Sequence, residues 1–415
     1  MSVVLPQSVN YTESLPGLPE QCIQIPVAAS PVNGQTFTAG QQIQFDLLNR
    51  GFLVPDSLYI SYSYTSANAA AANLIGCPVY TSFSRCDVQA GSQTIDTISN
   101  YNVLMHMMSN LTLDVAQKYG QQASFGYTVS ATPTIEELDG RTVAANETGT
   151  FSGPLMCLLS NSEKLLPLFA MPQMRVVLTV ENIANMFIGT APTAWTLANV
   201  ELRYKVVDMG SEVENMVRAM GDKIYIKSQA CSCSSTTLST GASGAVELIF
   251  NQRYASVKSL YAVNGNSVGN KNFESVSLCT DANGADYTFI VGGINYPQRP
   301  ISSKTNKAGA LQELRSAIGS VFDKNNSLAI NTAEFNKILG DATTITQPGK
   351  FYLGVSVEKL NSNNILTGIS TQNSPISYRI NLGAATTAAS TITLVVNYDA
   401  LIEVDTVNRQ LSIKE

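Results

Sequence analysis

Histidine chemistry in this chain would rest on one residue, because its 415 positions include a single histidine, His106. A Ser–His–Asp relay or an imidazole metal site needs that ring beside a nucleophile or an ion. His106 stands instead among Met105, Met107 and Met108, in a stretch with helical spacing, where it reads as a packing residue. Cys231-Ser232-Cys233 sets two thiols on one face of a strand, but no second cysteine pair and no nearby histidine completes a zinc set. Asp323, Asn325, Ser327, Asn331 and Glu334 fall at the oxygen-ligand positions of a twelve-residue calcium loop, with Ile330 at its hydrophobic position. Leu328 occupies the place where such a loop wants glycine for its sharp turn, and the acidic density is low. A helix–loop–helix with chance spacing is the competing reading. Asn10, Asn110, Asn146 and Asn325 begin glycosylation sequons, which read as chance matches in an Asn- and Thr-rich chain. No Gly-rich phosphate loop and no cluster of carboxylates marks a site. The sequence therefore assigns no catalytic, cofactor-binding or metal-ligating residue, and no cofactor.

Composition narrows the class of protein. Apolar residues make up 44%, enough for two cores, and the length fits two domains of about 200 residues. Charged residues are 13%, against roughly 25% in ordinary soluble domains. A polar surface with few ions suits broad packing against neighbours, since fewer charges must shed water when faces meet. The net charge is −6 without a basic tail or arginine cluster, which disfavours direct, sequence-specific nucleic-acid binding. Seven scattered cysteines, an odd number, read as reduced thiols of a reducing compartment. Met1–Pro19 lacks the basic start and apolar core of a signal peptide, and no membrane span is expected.

The elements that would position any site follow a plan written twice. Ile43, Phe45 and Leu47 alternate with polar neighbours, and after Gly51 and Pro55 the face Leu58, Ile60, Tyr62 and Tyr64 follows. Val246, Leu248 and Phe250 alternate in the same way ahead of Val257–Val263. Each tract then crosses a long, partly helical excursion to a closing pair of strands. These pairs are Arg175–Glu181 with Asn199–Val207, and Lys350–Lys359 with Thr391–Tyr398. Helices are expected near Ile98–Met108, over Lys307–Phe322 and over Glu334–Leu339. Ser211 and Glu214 form a capping-box signature for a helix ending at Gly221. Turns are expected at Asn33-Gly34, Asp139-Gly140, Asn264-Gly265, Asn283-Gly284 and Pro348-Gly349. The chain divides into an extended arm over 1–30, a sandwich over 31–208, a linker helix over 209–222, a second sandwich over 223–405 and a tail over 406–415. The class is all-β, with short helices in the long loops.

Several tracts resemble a known family. Cys77–Met108, Leu165–Asn182 and Asn199–Met209 are similar to the first domain of the double jelly-roll major capsid proteins of polinton-like viruses and virophage-related elements. Tyr296–Ile301, Asn306–Arg315, Gly349–Leu360 and Tyr398–Arg409 are similar to the second domain. The resemblance implies two tandem eight-stranded jelly rolls in a subunit that forms a homotrimer, a pseudo-hexameric capsomer. Such capsomers tile an icosahedral shell around a double-stranded DNA genome, assembled in the host cell. Partners would be neighbouring capsomers with penton and minor or cement capsid proteins, and no enzyme activity is implied. Three other readings compete. A lectin-like, carbohydrate-binding double sandwich would need aromatic platforms, for which Trp195 is the sole tryptophan, and acidic calcium loops. An amidase or glycoside hydrolase on tandem jelly rolls would need paired carboxylates in one cleft. A minor, vertex-forming capsid protein would carry one jelly roll, against the duplication.

Overall fold

A computed structural model describes residues 22–127, 140–188, 191–266, 271–278, 285–319, 330, 332–338, 349–359 and 366–414. In its first half eight strands carry the architecture: β1 (Ile23–Ala29), β2 (Gln42–Asp46), β3 (Tyr59–Ala67), β4 (Phe83–Ala90), β5 (Gln93–Ser99), β6 (Thr148–Pro154), β7 (Met174–Val180) and β8 (Ala194–Asp208). They pair antiparallel in two sheets, β1-β8-β3-β6 and β2-β7-β4-β5. The second half repeats the set as β9 (Lys223–Leu238), β10 (Gly244–Phe250), β11 (Val257–Asn266), β12 (Ala285–Val291), β13 (Ile294–Ser302), β14 (Leu353–Ser356), β15 (Ile376–Leu382) and β16 (Ser390–Asp405). Its sheets are β9-β16-β11-β14 and β10-β15-β12-β13. Adding eight to each strand number of the first half gives the order of the second. In both halves consecutive strands mostly alternate between facing sheets, which is the jelly-roll weave.

The alternation seen in the sequence sets which face is dry. Val200, Leu202, Tyr204 and Val206 of β8 are buried, while Arg203 and Lys205 on the other face are exposed. β16 departs from this pattern, with Leu394, Val395 and Val396 all buried. On that sheet a helix, α3 (Lys307–Ile318), packs over β14 through Ala310 and Leu314. A Cβ at Gly354 would stand 2.7 Å from Leu314 Cδ1, so the helix lies this close only over glycine. Two other helices matter below: α1 (Tyr101–Thr112) in the excursion of the first half, and α2 (Ser211–Ala219) between β8 and β9. No helix among the described residues is long and apolar enough to cross a membrane.

The structure corrects several sequence expectations. The counterpart of Arg175–Glu181 is β15, where Ile376, Tyr378, Ile380 and Leu382 are buried in alternation, and not Lys350–Lys359. The latter tract holds β14, the counterpart of β6. Residues read as an arm contribute β1, paired throughout with Leu202–Asp208. Pro26 lowered that expectation, but on a sheet edge its missing N–H breaks no ladder. Asn264 and Gly265 lie inside β11 and make no turn; Ser275 Oγ accepts from the Asn264 N–H at 2.9 Å. The tail is a hairpin, with Gln410–Lys414 folded back on Leu401–Asp405. Ser211 opens α2, but Gly210 is its N-cap and no side-chain cap forms. The turns at Asp139 and Asn283-Gly284, Pro348 and the first 21 residues lie outside the described residues.

Candidate functional site

One cluster of buried polar residues lies where the two halves meet. Helix α1 is buried on nearly every side: Tyr101, Leu104, Met107 and Leu111 are fully covered, and so are the polar residues His106 and Asn110. A polar residue at full burial must find partners. Asn110 Nδ2 lies 3.1 Å from His106 Nε2 and donates to the Tyr352 hydroxyl at 3.0 Å, 242 residues further along. Lys118, itself buried, donates its ammonium to Asn110 Oδ1. Because an ammonium can only donate, the amide is oriented with its NH2 toward His106. His106 Nε2 is then the acceptor, and the ring hydrogen sits on Nδ1. The His106 ring also meets Phe273 of the second half, at 6.5 Å between centroids. The one histidine is thus a buried structural joint, in agreement with the packing role read from its neighbours.

Further contacts run along the same seam. Asn100, the α1 N-cap, has a left-handed backbone (φ 50°) and donates to Ser235 Oγ on β9 at 2.7 Å. Ser228 Oγ donates to the Leu158 carbonyl at 2.7 Å, and the Glu163 N–H to the Lys227 carbonyl at 3.1 Å. Lys227 Nζ lies 3.5 Å from Glu163 and 3.7 Å from Asp399, which is itself covered.

The thiols are poor candidates for chemistry. Cys231 and Cys233 share the buried face of β9. Burial pushes the Cys231 thiol up to about 12, helped by the nearby Asp96 carboxylate, and pushes Cys233 well above its usual range. Burial likewise pushes Cys77 up to about 12 and Cys157 up to about 11. Such groups are neutral at ordinary pH, neither nucleophiles nor ready metal ligands. Among the described residues no three His, Cys, Asp or Glu side chains are arranged to hold a metal ion. Of the calcium-loop pattern, Asp323, Asn325, Ser327, Leu328 and Asn331 lie outside the described residues. Glu334, its last ligand position, is buried and bound to the equally buried Lys350 at 2.9 Å. Trp195 is no platform either. It is fully buried, stacked on Tyr64 at 4.6 Å, with its indole N–H donated to Ser82 Oγ. An open cleft of about 490 Å³ beside β12 and β13 is lined by Asp286, Arg299, Lys304 and Asn381 among others, and among the described residues it holds one carboxylate where a glycosidase would need two.

Sequence reasoning missed Asn110, Lys118 and Tyr352. Asn110 carried a signal, since it interrupts the apolar run of α1, and such a residue is either exposed or hydrogen-bonded inside. Its full burial also removes it as a glycan acceptor in the folded chain.

No family model matches the sequence, and no curated protein does. Solved structures do match, along nearly the whole chain. A quasi-atomic model of the PBCV-1 virus capsid is similar at 10% identity and a TM-score of 0.65, over 98% of this chain and 99% of that one. The Faustovirus major capsid protein matches at 9% identity and a TM-score of 0.63, over 96% and 92% of the two chains. The mavirus major capsid protein matches at 11% identity and a TM-score of 0.52, over 100% and 95%. The chain is a double jelly roll.

With that fold named, the joint around α1 acquires a mechanical meaning: it fixes how the two jelly rolls stand to one another. The double jelly roll also leaves large apolar side chains in water, among them Ile249 on the edge strand β10 and Ile294 on the edge strand β13. β13 carries Pro297 and Pro300, which blunt it against further strand pairing. On β10, Ala245, Glu247 and Ile249 face outward with no proline among them. Exposed apolar residues at sheet edges are natural contact points for a second chain.

Proposed function

We propose that this chain is a viral major capsid protein, a structural subunit with no enzymatic role. In this reading it forms a homotrimer whose six jelly rolls give a pseudo-hexameric capsomer. Capsomers tile an icosahedral virion shell around a double-stranded DNA genome, with penton and minor or cement proteins as further partners. The observation that carries the reading is the double jelly roll itself, repeated strand for strand and shared end to end with capsid proteins of three viruses. The polinton-like resemblance of the sequence and its low content of charged residues support it. The chain divides into jelly rolls over 31–208 and 223–405 with a linker over 209–222. To these β1 and the terminal hairpin are added from the residues first taken as arm and tail.

A trimer interface of several thousand Å², roughly the obligate class, would make separated subunits unstable. Light scattering on a sizing column, followed by negative-stain microscopy, tests this. A stable particle of three chain masses with a hexagonal outline is expected. A monodisperse monomer at micromolar concentration would overturn the trimeric capsomer.

A further inference from the structure

The seam inside the chain joins two surfaces that the duplicated fold owns twice. On the first half it is made by β5 and by the tract after β6, where Leu158 and Glu163 bond to β9. On the second half it is made by β9 itself. Ser228 and Ala230 are buried on one face of that strand, and Cys231 and Cys233 on the other. β5 and β9 touch without sharing a ladder. By the shift of eight in strand number, the counterpart of β5 is β13 and that of β9 is β1. The counterpart of the tract after β6 is the tract after β14. These counterparts stand open. On β13, Ile294, Gln298, Arg299 and Pro300 are exposed, and on β1 so are Ile23, Gln24, Pro26 and Ala28. Ile23 and Ile294 are 60% and 56% exposed, and Leu366 in the tract after β14 is 47% exposed. Each surface leaves a large apolar side chain in water, whereas Ile98, Leu158 and Cys231 on the matching surfaces of the seam are buried.

We infer that these surfaces meet between copies: β13 and the tract after β14 of one chain dock on β1 of the next, repeating the internal seam. The inference rests on the homotrimer proposed above and assigns its interface. A second copy is the occupant because the internal seam shows the two kinds of surface already mated, and because Ile23, Ile294 and Leu366 stay exposed in the single chain. The contact is head-to-tail. Each chain offers one β13 side and one β1 side, so copies join in a ring rather than as a two-fold pair. Three copies would then carry six like seams, three within chains and three between them. Pro297 and Pro300, which bar a ladder along β13, are no obstacle, since the internal seam has no ladder either. Exposed isoleucine and leucine at such a contact gain by leaving water, and little charge has to be desolvated on β1, which holds no ionisable residue.

Light scattering across a dilution series tests the assignment on the full chain. Ile23→Asp, Ile294→Asp and Leu366→Asp are compared with the unaltered protein and with Ile249→Asp. Ile249 lies on β10, outside the assigned surfaces, and at 66% is more exposed than any of the three. Each of the three substitutions is expected to raise the concentration at which half the trimer dissociates at least about tenfold, since it buries an unpaired charge in the contact. Ile249→Asp is expected to leave that concentration unchanged. If Ile249→Asp behaves like the other three, whether all keep the trimer or all lose it, the assignment is overturned and the trimer reading stands. A monomeric unaltered protein would overturn the trimer, and the assignment with it. All four positions are exposed in the single chain, and unchanged circular dichroism of the variants separates lost contact from lost fold.

Discussion

Ionisable side chains buried without water make the sharpest demands at the scale of single residues. Glu334 and Lys350 are each almost fully covered and hold one another at 2.9 Å. Removing one partner leaves a buried charge uncompensated, whereas replacing both with apolar residues does not. Glu334→Gln or Lys350→Met alone is expected to cost about 3–5 kcal/mol, and the pair Glu334→Leu with Lys350→Met far less. Denaturant midpoints of the three variants check this. The thiols give a second prediction with a definite sign. Folding raises Cys77 and Cys231 to about 12 and Cys157 to about 11, while an unfolded thiol titrates near about 8.5. Above the unfolded value the unfolded state sheds protons that the folded state keeps. Stability is therefore whole below about pH 8.5 and falls as pH rises toward 11, by up to about 1.4 kcal/mol per pH unit for each thiol. Thermal melts at stepped pH measure the fall. Native protein treated with a thiol reagent at pH 8 should leave these three cysteines unlabelled until denaturant is added.

At the scale of elements, helix α1 is held by its polar residues as much as by its apolar ones. Asn110 serves His106, Lys118 and Tyr352 at once. Asn110→Ala strands several buried groups and is expected to cost about 3 kcal/mol or more, against about 1 kcal/mol for Tyr352→Phe, which removes one hydroxyl. Calorimetric unfolding of both variants compares them. What the sequence revealed about elements follows the same physics. Period-two alternation exposed β2, β3, β8 and β10 because each has one wet face or an open edge. Thr391–Tyr398 was placed correctly within β16, but β14 misled because α3 packs over it and erases the alternation, so Lys350–Lys359 was matched to the wrong strand. β1 was hidden by Pro26, tolerable at an edge that only the fold reveals. The packing place of His106 was read from its methionine neighbours. The partners of Asn110 were not, since hydrogen bonds across long separations leave no local trace in the chain.

For the whole molecule, the scarcity of charge becomes a property of association. With 13% charged residues, copies of the proposed subunit would meet mainly through apolar and neutral polar surface. Screening, which acts over about 10 Å at 0.1 M salt and about 3 Å at 1 M, has little to weaken in such contacts. The proposed capsomer is expected to keep its mass across that range, as light scattering at stepped salt would record; dissociation at high salt would point to ion-paired interfaces. The duplicated strand order was legible in outline because both halves write the same alternations in the same sequence. Their mutual arrangement was not, because the seam is made by α1, β5 and β9 with few repeated features.

The seam also sets a schedule for the ribosome. Asn110 and Tyr352 are 242 residues apart, so the amide and the lysine it holds leave the tunnel long before the hydroxyl that completes the joint. At about 5–20 residues per second that interval is roughly 12 to 48 seconds. Throughout it the nascent first half displays a helix face meant for the interior, a time in which chaperones have most to protect.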